Sequence, residues 1–195
     1  FIDSGKKFNS AGYCSTSVNN YFVWNTNELA SADTSTSSFI DGIHRTETSA
    51  GSSHRGAKKL KDIDAVMAGE EAASLAKDSE NPVDIEPGKY EVVLGNEAVS
   101  TILVFLAVYG FNAKNKIDGM SPINIDENQF DENITLYDNP FKADSIGFKI
   151  DASGAAKKTL NVINKGVPSS YFHTRRTAKE LKQENTFHEL YGWGD

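Results

Sequence analysis

The run TILVFLAVYG, residues 101–110, is the most apolar stretch of the chain, and it limits the folds open to it more than any other feature. A bilayer span needs ~20 apolar residues, so this run is too short to cross a membrane. A water-soluble chain must therefore cover it on most sides. Asn96 offers an N-cap, Glu97 sits where the helix dipole favours an anion, and Gly110 stands where a helix end favours glycine. These signals predict a helix over 97–109, central to the fold, despite the β-branched residues inside it. Just before it, KYEVVL at 89–94 reads as a strand introduced by the turn Glu86-Pro87-Gly88.

The other elements follow from the same signals. Residues 8–24 mix aromatic and β-branched residues around Asn9-Ser10-Ala11-Gly12, the pattern of a hairpin. Residues 31–53 are rich in Ser and Thr; they suit either a polar loop or solvent-facing strands turning at Asp41-Gly42. DAVMAGEEAASLAKDS predicts a helix capped by Asp64, with Ala65, Ala68, Ala72, Leu75 and Ala76 on one face and Asn81-Pro82 ending it. Beyond Gly110 comes a long polar connection, then short strands at 134–138 and 146–150. A hairpin with Asn164-Lys165-Gly166 at its tip and a short amphipathic helix over 174–182 complete the list.

Composition removes several function classes. A net charge of −7 argues against a nucleic-acid surface, which needs a concentrated cationic face. The basic clusters at 54–61 and 173–182 are mixed with or followed by acids and read as solvated helix faces. The single cysteine, Cys14, excludes an internal disulfide framework; it reads as a small core residue. No opening signal segment is visible, so the chain is expected to be cytoplasmic. The four histidines, His44, His54, His173 and His188, show no i, i+4 pair of the kind that presents two imidazoles on one helix face, and each reads as structural. Neither a G-x-S-x-G nor a P-loop occurs.

The ordered set Asn9-Ser10-x-Gly12, IEPGKYEVVL with its following helix, Gly119-x-Ser121, ITLYDNP, a hairpin and TRRTAKEL resembles the TldD/PmbA family, also called modulators of DNA gyrase. The resemblance covers roughly residues 9 to 185. It implies a cytosolic two-chain metallopeptidase acting on unfolded peptides, built from one TldD-type and one PmbA-type (TldE) subunit. Members are more than twice this length, and the absence of an initiator methionine and of a closing element suggests a central piece of such a chain.

In TldD-type subunits the resemblance places a His-Glu-x-x-x-His motif on the helix after the VVL strand, the histidines holding zinc and the glutamate serving as general base. Aligned by the strand and the glycine, those positions fall on Val104, Phe105 and Tyr109. Valine and phenylalanine offer no lone pair to Zn²⁺, and a phenol with a pKa near ~10 is a poor ligand at neutral pH. The departure matches the PmbA-type subunit. No catalytic or metal residue is then expected in this chain, and zinc is expected in a partner subunit. Tyr109, Phe111 and Asp138 remain candidates for a peptide groove or interface, although Tyr109, Phe111 and Trp24 read more readily as core and Asp138 as a turn cap.

These readings imply an α+β fold of mostly antiparallel strands with two or three helices, part of a larger two-domain chain. Residues 1–84 would end an N-terminal region, and 85–195 would begin a C-terminal domain. The expected partners are a TldD-type subunit or a second copy, with a peptide substrate and neither nucleic acid nor membrane. Two alternatives stay open: an autonomous peptidase whose ligands lie outside this stretch, and a DNA-associated regulator, suggested by the older family name. The apolar helix also predicts self-association, unless the chain's own strands cover it.

Overall fold

The Ser- and Thr-rich stretch forms strands, not a loop, in the computed structural model, which describes residues 1–189. Strand β1 (Asn9–Trp24), β2 (Ala30–Arg45) and β3 (Ala50–Ala57) make one sheet in the order β1-β2-β3. The ladder between β2 and β3 is antiparallel, from Ser38 opposite Ala57 to Arg45 opposite Ala50. Two sequence-based expectations change here. Residues 9–24 are one strand instead of a hairpin, and Asp41-Gly42 is mid-strand instead of a turn. Gly42 pairs with Ser53, and the ring of Phe1 lies where its Cβ would be, at 2.3 Å, so glycine serves close approach at this position.

The chain divides into two units. The first comprises Phe1–Asn19 and Ser35–Val93. Its helix α1 (Ala65–Asp78) begins as expected, with the Asp64 side chain accepting from the Met67 N–H at 2.9 Å. Ala68, Ala72 and Ala76 are fully buried, whereas Leu75, assigned to the same face, is exposed. The reason is proximity: a Cβ on Gly51 of β3 would lie 2.2 Å from the Ala72 carbonyl oxygen and 2.3 Å from the Ala76 nitrogen. Only small residues allow a helix and strand to approach so closely. Polar pins secure the contact, with Ser53 Oγ donating to Glu71 at 2.7 Å and Arg55 pairing with the same carboxylate. Hydrogen bonding holds the Glu71 carboxyl below the usual carboxylate range, chiefly through Ser53, with Arg55 adding to it.

The second unit comprises Asn20–Thr34 and the chain from Leu94 onward. Its sheet joins β4 (Leu136–Asp138), β5 (Leu160–Asn164) and β6 (Val167–Pro168), all antiparallel. The β5–β6 hairpin turns at Lys165 and Gly166, both at positive φ, as the Asn-Lys-Gly signal predicts. Phe111, Ala113, Ile123, Val162, Ile163 and Tyr171 form its core. Helices α2 (Asn96–Phe105), α3 (Ala113–Ile117) and α4 (Arg175–Glu180) complete it. In α4 the Thr174 hydroxyl accepts from the Thr177 N–H at 3.1 Å, while the Thr177 hydroxyl accepts from the Thr174 N–H at 2.9 Å. The 20–34 hairpin tip is tied in by Tyr21, whose hydroxyl donates to the Ala152 carbonyl at 2.9 Å, and by Asp33, which accepts from the Lys149 N–H at 2.6 Å.

Two predicted strands do not form. KYEVVL has no neighbouring strand among the described residues, and Val93 is 99% exposed. Residues 146–150 contribute only an isolated bridge, Ile150 to Ala156. Apolar β-branched residues make a strand only when a second backbone accepts their hydrogen bonds, and the described residues place no strand beside 89–94. Cys14 and Trp24 are exposed as well, because β1 is an edge strand with most of both faces open. No helix among the described residues is long and apolar enough to cross a membrane.

Candidate functional site

The apolar run is helical as expected, yet it is not covered. Gly95 is the N-cap in place of Asn96, α2 runs to Phe105, and the chain then widens into one π-helical turn, Leu106–Gly110. The Phe111 N–H bonds the Leu106 carbonyl at 2.9 Å, closing that turn. The wider turn swings Phe111 into the core, where it is fully buried and stacks on Phe130 at 6.5 Å. Ser121, from the Gly119-x-Ser121 pair, locks the exit: its hydroxyl donates to the Gly110 carbonyl at 2.6 Å and accepts from the Ile123 N–H at 3.1 Å.

Upstream of the turn the side chains face outward. Val104, Phe105 and Tyr109 are 59%, 57% and 54% exposed, and the Phe105 and Tyr109 rings stack with centroids 5.9 Å apart. The expected covered helix is thus an open one, since among the described residues only its last turn meets the core. Of the aromatic candidates, Tyr109 lies open and Phe111 is core.

The structure brings Asp138 together with a residue that the sequence did not link to it. His188 is buried, its Nδ1 donates to the Thr186 carbonyl at 2.6 Å, and its Nε2 lies 3.3 Å from Asp138 Oδ2. That second contact is close enough for charge attraction but is not aligned as a hydrogen bond, and Nε2 has no hydrogen-bond partner among the described residues. The imidazole beside it holds the Asp138 carboxyl below its ordinary value, against the opposing effect of desolvation and with help from Lys157. The turn after β4 is capped by Asn139 instead, which accepts from the Phe141 N–H at 3.0 Å. No motif spacing ties Asp138 to His188, so only tertiary structure reveals the pair.

The other histidines are engaged separately. His44 is fully buried, stacked on Phe1 at 4.6 Å, with Nδ1 2.7 Å from Ser10 Oγ. His173 is buried between Thr177 Oγ1 at 3.3 Å and Gln183 Oε1 at 2.9 Å. Burial lowers the pKa of both imidazoles. His54 lies 3.5 Å from Asp41. No group of three or more His, Cys, Asp or Glu side chains placed to hold a metal occurs among the described residues. Zinc needs nitrogen, sulfur or carboxylate donors, whereas Val104, Phe105 and Tyr109 present two hydrocarbons and a phenol, so these three side chains do not fit the ion.

Residues 87–193, more than half of the chain, match a family model described as PmbA/TldA metallopeptidase C-terminal domain. No curated protein matches. Three solved structures share the fold. A putative modulator of DNA gyrase from Thermotoga maritima superposes with a TM-score of 0.85 at 20% identity, over 92% of this chain and 43% of that one. A putative modulator of DNA gyrase from Bacteroides thetaiotaomicron gives 0.81 at 15% identity, over 97% and 47%. TldE from Thermococcus kodakarensis gives 0.75 at 21% identity, over 90% and 41%. The chain therefore spans less than half the length of each of these proteins.

Proposed function

The chain belongs to the PmbA/TldD metallopeptidase family, and from that premise we propose that it acts as a PmbA/TldE-type subunit, leaving metal chemistry to a TldD-type partner that cleaves unfolded peptides. One observation carries the proposal: positions 104, 105 and 109, onto which the resemblance lays the ligands and general base of a TldD-type helix, hold valine, phenylalanine and tyrosine. A zinc-bound water needs three protein donors around the ion and a base beside it. Positions 104, 105 and 109 supply neither the two imidazole ligands nor the base. The likeness to TldE supports the same assignment at the level of fold.

The test is metal content and peptide hydrolysis, measured on this chain alone, on a TldD-type subunit alone and on the two together. Zinc and hydrolysis should follow the TldD-type subunit. Stoichiometric zinc bound by this chain in isolation would overturn the proposal.

A further inference from the structure

A cavity of about 310 Å³ opens in the second unit, between the start of β5 and the chain that follows α4. That volume is at the lower end of the ~300–1,000 Å³ typical of small-molecule sites. One wall, 183–187, is fixed in place by a buried neighbour. His173 lines the cavity, donates its backbone N–H to Thr186 Oγ1 at 2.9 Å and its Nε2–H to Gln183 Oε1 at 2.9 Å. The Gln183 N–H bonds the Ala178 carbonyl at 2.9 Å, and the Thr186 carbonyl accepts from His188 Nδ1 at 2.6 Å. Lys182 and Phe187, which bracket this wall, both hold positive φ, a backbone that a bulky residue keeps only where its surroundings fix it. The cavity is therefore preformed.

We propose that this cavity binds a small zwitterion with an apolar side chain, an α-amino acid or a dipeptide. The proposal does not rest on the subunit assignment above. The groups left over in the lining match each part of such a ligand. The Lys158 ammonium and the amide nitrogen of Gln183, whose oxygen is already taken by His173, receive the carboxylate. Glu184 receives the ammonium together with Ser170, whose hydroxyl donates to the Tyr171 carbonyl at 3.2 Å and keeps its lone pairs to accept. Leu160 and Phe187 meet the side chain. Both charges face one cavity, yet among the described residues neither Lys158 nor Glu184 belongs to an ion pair. The Lys158 ammonium lies 5.4 Å from the centre of the Phe187 ring instead. An open carboxylate disfavours a plain anion and an open ammonium disfavours a plain amine, so a ligand carrying both charges is selected.

Amide NMR titration of the purified chain tests this with L-phenylalanine, glycyl-L-phenylalanine and the uncharged N-acetyl-L-phenylalaninamide. The first two should give saturable shifts centred on 158–160, 170 and 183–187, at least one with a Kd of about 1 mM or tighter, and the third should give none. Tighter binding of the dipeptide identifies a peptide as the source, and tighter binding of phenylalanine a free amino acid; either supports the proposal. Lys158→Gln and Glu184→Gln, both at exposed positions outside the core cluster, should leave the rest of the spectrum in place and each weaken binding about tenfold or more. Lys89→Gln, in the first unit, should leave it unchanged. No saturable shift up to about 10 mM, equal binding of the uncharged analogue, or shifts centred elsewhere would each overturn the proposal. So would a loss on Lys158→Gln with none on Glu184→Gln, which marks a plain anion site, or an affinity that neither variant moves.

Discussion

The first unit buries serine and the second leaves isoleucine and phenylalanine in water. Ser35, Ser37 and Ser38 of β2 are buried, with Ser37 Oγ 2.8 Å from Ser17 Oγ and Ser38 donating to Thr16 at 3.0 Å. On α2, Ile102, Val104 and Phe105 are mostly exposed, although their transfer from water would be favourable by about 2 kcal/mol each. The difference teaches that burial depends on a fitting neighbour. Hydroxyls matched across two strands lose little on leaving water, whereas hydrocarbon without an apposed surface stays in it however favourable the transfer.

Breaking the core should give the largest effect. Phe111→Ala removes a fully buried ring and should cost about 3–5 kcal/mol by urea denaturation, whereas Phe105→Ala, six residues earlier, should change the stability of the single chain by less than about 0.5 kcal/mol. Equal losses would show that α2 is covered after all. Next comes the close approach in the first unit. Gly51→Ala would place a Cβ against the α1 backbone and should cost about 2–3 kcal/mol, seen as a lowered melting temperature.

The buried histidines sharpen the comparison through pH. Burial lowers the pKa of His44 and of His173. The unfolded chain then takes up protons near its ordinary value of about 6.5 while the folded one does not, so stability is full above that pH and falls below it. Each histidine should contribute up to about 1 kcal/mol per pH unit, read from urea midpoints at about pH 8 and about pH 5.5. His173→Gln should flatten part of that slope. The smallest effect belongs to the hydroxyl pairs. Ser38→Ala should cost only about 0.5–1 kcal/mol, because the exposed Thr16 can turn to water. A larger loss would mean that the serine ladder organises the sheet.

Elements with local instructions were legible in the letters. The Asp64 cap, the Thr174 start of α4 and the Lys165-Gly166 turn satisfy their backbone groups with side chains or glycine freedom a few residues away, and each forms where its signal lies. Elements defined by a distant partner were not. KYEVVL has the composition of a strand but no ladder, the Ser- and Thr-rich stretch is strand because β1 and β3 flank it, and Asp41-Gly42 reads as a turn until its pairing with β3 is seen. The candidate site divides in the same way. The hydrocarbon and phenol side chains at 104, 105 and 109 are visible in one dimension, while the Asp138–His188 contact has no counterpart in spacing.

By itself, then, the sequence determined the family and the helical character of 96–105, since these depend on side-chain chemistry and on contacts within one turn. Only tertiary structure decided which apolar residues are covered. It sends Phe111 inward through a π-helical turn and leaves Phe105 and Tyr109 outside, because burial is set by the surface that meets a side chain and not by the side chain alone.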